Sequence, residues 1–176
     1  DMHAARIARL RERVSPVVIT DHSHIFYLTG FAGSAGRLLV TDDDAVLFVD
    51  SRYFEYVSSE VPAARAVLIA GDYDGGTARH LAEIGLRAVS VEKGLTIAAF
   101  ESFAAACAPS ITVTAVDDPV KALREVKDNA ERALIKDNLF RAECAFTKML
   151  ASVKEGMTEK ELAAELDNRM RAEGGD

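Results

Sequence analysis

The sequence predicts an α/β fold: a mixed-sheet domain followed by the first helices of a second, incomplete α+β domain. Three features predict it. Helical stretches alternate with short apolar, β-branched runs as far as Val116, the pattern of helices packed on a sheet. Two of those runs, residues 38–41 and 45–50, flank Asp42-Asp43-Asp44, whose residue types suit a turn between antiparallel strands. From Asp117 onward the strand pattern stops while helical periodicity continues, so the domains are expected to be residues 1–116 and 117–176.

In chain order, residues 4–13, with Arg6, Arg9, Arg11 and Arg13, read as a short basic helix. Residues 17–20 and 24–28 are apolar runs separated by Asp21-His22-Ser23, and both are expected as strands. The glycine-rich residues 30–36 and the hairpin follow. Ser51 is expected to cap a helix reaching Glu60 and stopping before Pro62, with a strand at 66–70. A helix over 77–84 closed by Gly85, a strand at 87–92, a helix at 96–106 and a strand at 112–116 complete the first domain. The helix at 96–106 is apolar on most sides, which predicts burial.

Asp118 then precedes Pro119, the arrangement of an N-cap and a first-turn proline. Asp128 with Glu131 resembles a capping box opening a helix of about 25 residues. On it Leu139, Ala142, Phe146, Met149, Leu150 and Val153 form one stripe, and Gly156 ends it. Thr158 with Glu161 opens the next helix, striped by Leu162, Leu166 and Met170 and running to Gly174-Gly175. Two such stripes cannot cover each other and stand as a domain, so a further layer is expected beyond Asp176.

Composition narrows the function classes. The 176 residues are 49% hydrophobic and 28% charged, which suits a soluble globular chain rather than a disordered one. The balance of 28 acidic against 21 basic side chains, a net charge of -7, without a basic stripe, argues against nucleic-acid or anionic-membrane partners. No run approaches the roughly 18–20 apolar residues of a membrane span, and the start carries no apolar signal core. A cytoplasmic location is expected. Cys107 and Cys144 fit no metal or redox spacing and read as buried free thiols.

No catalytic constellation emerges from spacing alone. Gly30, Gly33 and Gly36 are three apart, which fits neither a dinucleotide loop, a P-loop nor a nucleophile elbow. The stretch is either a tight irregular connection or a substrate- or partner-facing loop. His22 and His24 would share one face of a strand and could share a metal, but no further ligand stands at a typical spacing. Asp72-Tyr73-Asp74-Gly75-Gly76 reads as a loop and lacks the offsets of a calcium loop. Asp50-Ser51-Arg52-Tyr53 places polar heads at a sheet rim, either as a cap with an internal ion pair or as a ligand-facing edge.

The order of Tyr27-Leu28-Thr29-Gly30-Phe31-Ala32-Gly33-Ser34-Ala35-Gly36, Ala45-Val46-Leu47-Phe48-Val49-Asp50-Ser51-Arg52-Tyr53, Val126-Lys127-Asp128 and Lys154-Glu155-Gly156-Met157-Thr158 resembles the Xaa-Pro aminopeptidase and prolidase family. The resemblance implies a creatinase-like N-terminal domain and then the opening helices of a pita-bread catalytic domain. It implies a metallopeptidase that cleaves between an N-terminal residue and proline, with two divalent ions (manganese, cobalt or zinc) held by two Asp, one His and two Glu. Those ligand motifs lie beyond the two last helices, so no catalytic residue and no metal ligand is carried onto this chain, and the chain alone is expected to be inactive and metal-free. The partners implied are a peptide or dipeptide with proline second, and a second copy of the chain in a homodimer. Phe31, Arg37 and Tyr53 are the expected substrate-access residues, Arg37 because it suits a carboxylate. The stretch Arg13-Val14-Ser15-Pro16-Val17 is shorter than the family's helix-to-strand connection, which leaves a missing segment open. A non-catalytic peptide- or protein-binding module and a creatinase-like amidinohydrolase are the alternatives of the same architecture.

Overall fold

The apolar runs pair into one six-stranded mixed sheet. In the computed structural model, which describes residues 2–175, the strands are β1 (Val17–Ile19), β2 (Arg37–Val40), β3 (Ala45–Val49), β4 (Arg65–Leu68), β5 (Ala88–Glu92) and β6 (Thr112–Val116). Their order is β4-β3-β2-β1-β5-β6. β2 is antiparallel to β1 and to β3, whereas β1/β5, β3/β4 and β5/β6 are parallel. The hairpin expected around Asp42-Asp43-Asp44 is thus present, closed by the Thr41 amide donating to the Asp44 carbonyl at 2.9 Å.

Six helices cover the sheet: α1 (Met2–Arg11), α2 (His22–Thr29), α3 (Phe54–Glu60), α4 (Tyr73–Glu83), α5 (Ile97–Cys107) and α6 (Pro119–Glu125). Successive side chains of a strand face opposite sides, and both sides are buried. Val17, Ile19, Leu38, Val40, Leu47 and Val49 pack against Ile7 and Leu10 of α1, Ile25 and Leu28 of α2, Val57 of α3, and Val120 and Leu123 of α6. Val18, Leu39, Val46 and Phe48 pack against Ala78 and Leu81 of α4 and Phe103 and Cys107 of α5. Two covered faces explain why the central strands read as unbroken apolar runs. Each fully buried Leu or Ile contributes about 1.5–3 kcal/mol.

The chain divides into two compact units, Asp1–Glu125 and Val126–Asp176. The composition shift at 116/117 falls short of this division because α6, although it follows the last strand, buries Val120 and Leu123 in the core of the first unit. The second unit consists of α7 (Asn129–Leu150) packed on α8 (Glu159–Ala172). Both capping boxes form, Asp128 with Glu131 and Thr158 with Glu161. Of the expected α7 stripe, Met149 is buried, but Leu139, Phe146, Leu150 and Val153 are exposed.

Four local expectations change. The run 24–28 is not a strand but the body of α2, because Asp21 caps the His24 amide at 3.0 Å and Gly30, at φ +78°, closes the helix in the left-handed region. His22 and His24 therefore share no strand face, and only His24 is buried. α4 starts at Tyr73, four residues before the expected start, since Asp72 accepts from the amides of Asp74 and Gly75. A Cβ on Gly76 would meet Ile69 at 2.7 Å, so this glycine marks close packing and not a loop. Ser51 is not the cap of α3; it stands in a turn in which the Tyr53 amide reaches the Asp50 carbonyl at 3.1 Å. α5 buries only Phe103 and Cys107 and leaves Ile97 78% exposed, because most of its apolar residues are alanines on the outer side.

Candidate functional site

Two places on the first unit bring chemistry-bearing side chains together. The first is the rim formed by the segment between α2 and β2 and by the end of β3. Past Gly30 the Phe31 ring turns into the core, 1% exposed, and meets the edge of Tyr53 at 5.3 Å between centroids and an 84° angle. Gly33 crosses directly over that ring: a Cβ there would lie 2.0 Å from Phe31 Cζ. The glycine spacing thus reflects one cap and one close crossing.

Above Phe31, the Tyr53 hydroxyl contacts Ser34 Oγ at 2.9 Å and accepts from the Ser34 amide at 3.3 Å. These bonds, the side-chain one first, hold the Tyr53 hydroxyl below its ordinary pKa. Beside it Arg52 forks onto Asp50, with Nε to Oδ1 at 3.0 Å and Nη2 to Oδ2 at 2.7 Å, and its guanidinium lies 5.2 Å from the Tyr53 ring centre. The hydrogen bond from Arg52 keeps the Asp50 carboxyl below the usual range. The Tyr73 hydroxyl donates to Asp50 at 3.4 Å.

The rim unites Phe31 with Tyr53 but not with Arg37. The Arg37 guanidinium turns toward the opposite sheet face, where it donates to Asp74 and lies 5.2 Å from the Phe103 ring centre. Asp74 also accepts from Ser102. The carboxylate that Arg37 holds is therefore one of this chain's own, and the exposed guanidinium of the rim belongs to Arg52.

The second place is a small pocket of about 140 Å³ lined by Thr20, Asp21, His24, Glu92, Gly94 and Asp118. Glu92, 2% exposed at the end of β5, is held by four donors or contacts: Oε1 accepts from the Thr20 amide at 2.8 Å, the Thr20 hydroxyl at 3.0 Å and the Asp21 amide at 2.6 Å, and Oε2 lies 3.0 Å from His24 Nδ1. On the other side of the ring, His24 Nε2 faces Asp118 Oδ2 at 3.5 Å. Asp118 Oδ1 caps α6 through the amides of Val120 and Lys121 at 3.0 and 2.8 Å. Sequence reasoning noticed His24 and the capping role of Asp118, but not that they meet Glu92. A lone acid ending an apolar strand was the signal available.

His24, Glu92 and Asp118 are of metal-ligand type, with ligand atoms within 4.8 Å of one another. The imidazole lies between the two carboxylates, with Nδ1 beside Glu92 and Nε2 beside Asp118, so each ring nitrogen has a carboxylate partner of its own. Among the described residues no other grouping of three such side chains occurs.

The sequence pattern described as "Creatinase/Prolidase N-terminal domain" matches residues 6–126. A curated relative, "Uncharacterized peptidase YqhT" of Bacillus subtilis (strain 168), is 28% identical over 164 residues, covering 93% of this chain and 46% of the relative. The solved structure of an Xaa-Pro dipeptidase from Bacillus anthracis superposes with a TM-score of 0.88 at 25% identity, covering 98% of this chain and 50% of that one. An X-Pro aminopeptidase from Thermotoga maritima MSB8 gives 0.80 at 26% identity, covering 94% and 49%. The chain therefore spans about half the length of these relatives. With its mixed six-stranded sheet and the match over residues 6–126, the chain belongs to the creatinase/prolidase N-terminal domain family.

Proposed function

We propose that this chain is the N-terminal portion of a proline-specific metallo-aminopeptidase or dipeptidase, a cytoplasmic homodimer that hydrolyses the bond between an N-terminal residue and proline. The reading is supported most directly by the second unit. Leu139, Phe146 and Leu150 of α7 are 58, 48 and 53% exposed, an apolar face that calls for a further layer of protein, as the pita-bread half would supply. The second unit, from Val126 onward, is then the start of that half, which would carry the two divalent ions, manganese, cobalt or zinc. An X-Pro bond requires a dedicated site because its nitrogen has no hydrogen to donate. The free thiols of Cys107 and Cys144 suit a reducing compartment.

In this reading the first unit provides dimer contacts and narrows access to a neighbouring active site. Tyr53 is the surface element of the rim, Phe31 the wedge that sets its height, and Arg37 the tie that fixes the start of β2 to α4 through Asp74. The test is release of the first residue from a short Xaa-Pro peptide by the full-length protein with added manganese. No release with any divalent ion would sink the peptidase reading. Retained peptide binding would then favour the binding module, and hydrolysis of a small guanidino compound the amidinohydrolase. Arg37→Ala and Tyr53→Phe are expected to lower kcat/KM, and unchanged values in both would remove the access role.

A further inference from the structure

The arrangement of Glu92, His24 and Asp118 as a row has a chemical consequence for the ring between them. We propose that His24 is held as an imidazolium that clasps the start of α2, the end of β5 and the start of α6, and that loss of its proton releases α6 from the sheet. A neutral imidazole carries one N–H and one lone pair. With a carboxylate oxygen 3.0 Å from Nδ1 and another 3.5 Å from Nε2, a neutral ring would set its lone pair against one of them. Only the doubly protonated ring presents a donor to both. The Thr20 amide and hydroxyl and the Asp21 amide all donate to Glu92 Oε1 and so favour the ionised carboxylate, whose Oε2 then accepts from Nδ1 rather than protonating it.

The electrostatics agree with the geometry. Burial opposes a charge on His24, but the hydrogen bond to Glu92 and the charges of Asp118, Glu92 and Asp21 outweigh it and place the ring above its ordinary pKa. Burial likewise opposes ionisation of Glu92, and the bonds from His24, Thr20 and Asp21 outweigh it and hold the carboxyl below the usual range. The charged groups around the ring are Asp21 at the cap of α2, Glu92 of β5 and Asp118 before α6. Arg124 of α6 acts on Asp21, and Lys93 pairs with Asp117 at 2.8 Å on the exposed side.

The sign follows. The raised His24 value makes its contribution complete below the ordinary imidazole range and lost as pH rises through the folded value. The lowered Glu92 value makes its contribution present above the ordinary carboxylate range and lost as pH falls through the folded value. The clasp is closed between those limits and opens on the alkaline side. α6 is the element that responds, because seven residues are too few to persist as an isolated helix. It is held by Val120, Leu123 and the Asp118 cap.

The test is an NMR titration of the four histidines in the 1–176 chain, with His24→Asn identifying the signal, together with amide protection in α6. His24 is expected to titrate above the ordinary imidazole value, in contrast to His80, which burial first of all pushes below it. Protection of the Val120 and Leu123 amides should fall as His24 loses its proton. Asp118→Asn keeps a capping oxygen and removes the charge, so it should lower the His24 midpoint while the helix still forms. The proposal is overturned by a midpoint at or below the ordinary value, by α6 protection that does not change across the His24 titration, or by saturable capture of the His24 signal by zinc.

Discussion

Replacing Gly33 by Ala tests whether the rim is shaped by the Phe31 ring. The added Cβ would stand 2.0 Å from Phe31 Cζ and 2.7 Å from both Cε atoms, against about 3.5–4.0 Å for carbon atoms at optimal separation. The ring must therefore move by roughly 1.5 Å, and its neighbours are the Tyr53 edge at 5.3 Å and Tyr56 at 6.4 Å. Overpacking of this kind costs about 1–3 kcal/mol. The expected fall in melting temperature is about 2–8 °C per kcal/mol for a unit of this size. The assay is unusually clean: Tyr27, Tyr53, Tyr56 and Tyr73 all lie in the first unit and the sequence has no Trp, so tyrosine near-ultraviolet dichroism reports that unit alone. Phe31→Leu removes the atoms that clash, and in that background Gly33→Ala should cost well under half as much. An equal cost in both backgrounds would refute the crossing as the reason for the glycine.

Two further outcomes are expected. Asp74→Ala should destabilise the first unit by about 2–3 kcal/mol, since it strands the largely buried Arg37 guanidinium, whose Nη1 already lacks a hydrogen-bond partner; tyrosine-monitored urea unfolding reads the loss, and a change under 0.5 kcal/mol would contradict the pair's role. Burial, aided by the charge of Asp74, pushes the Cys107 thiol up, while Cys144 is only half-buried. A disulfide reagent at pH 8 should thus modify one thiol per folded chain and two after denaturation, and rapid reaction of both in the folded state would contradict the packing.

What the sequence made legible was local, and what it hid was either ambiguous in period or distant along the chain. Both capping boxes and the Asp42-Asp43-Asp44 turn were readable because every hydrogen bond in them closes within three residues. The run His24-Ile25-Phe26-Tyr27-Leu28 could serve a buried strand or a short helix equally well, and only its ends decided it, Asp21 as a cap and Gly30 at positive φ. Gly75-Gly76 suggested a loop because close packing on Ile69 leaves no trace in local pattern. The same limit governed the sites. Arg37 looked free for a substrate carboxylate until Asp74, 37 residues away, was found to hold it. His24 looked a lone histidine until Glu92, 68 residues on, took one nitrogen and Asp118 faced the other. In both cases strand pairing brings distant stretches of chain to the same end of the sheet: the parallel pair β1/β5 for His24 and Glu92, and antiparallel β2/β3 followed by parallel β3/β4 for Arg37 and Asp74. Charge complementarity at strand ends is therefore what the topology creates in this fold. A buried acid closing an apolar strand, as Glu92 does, is the residue to follow when asking which helix start lies next to it.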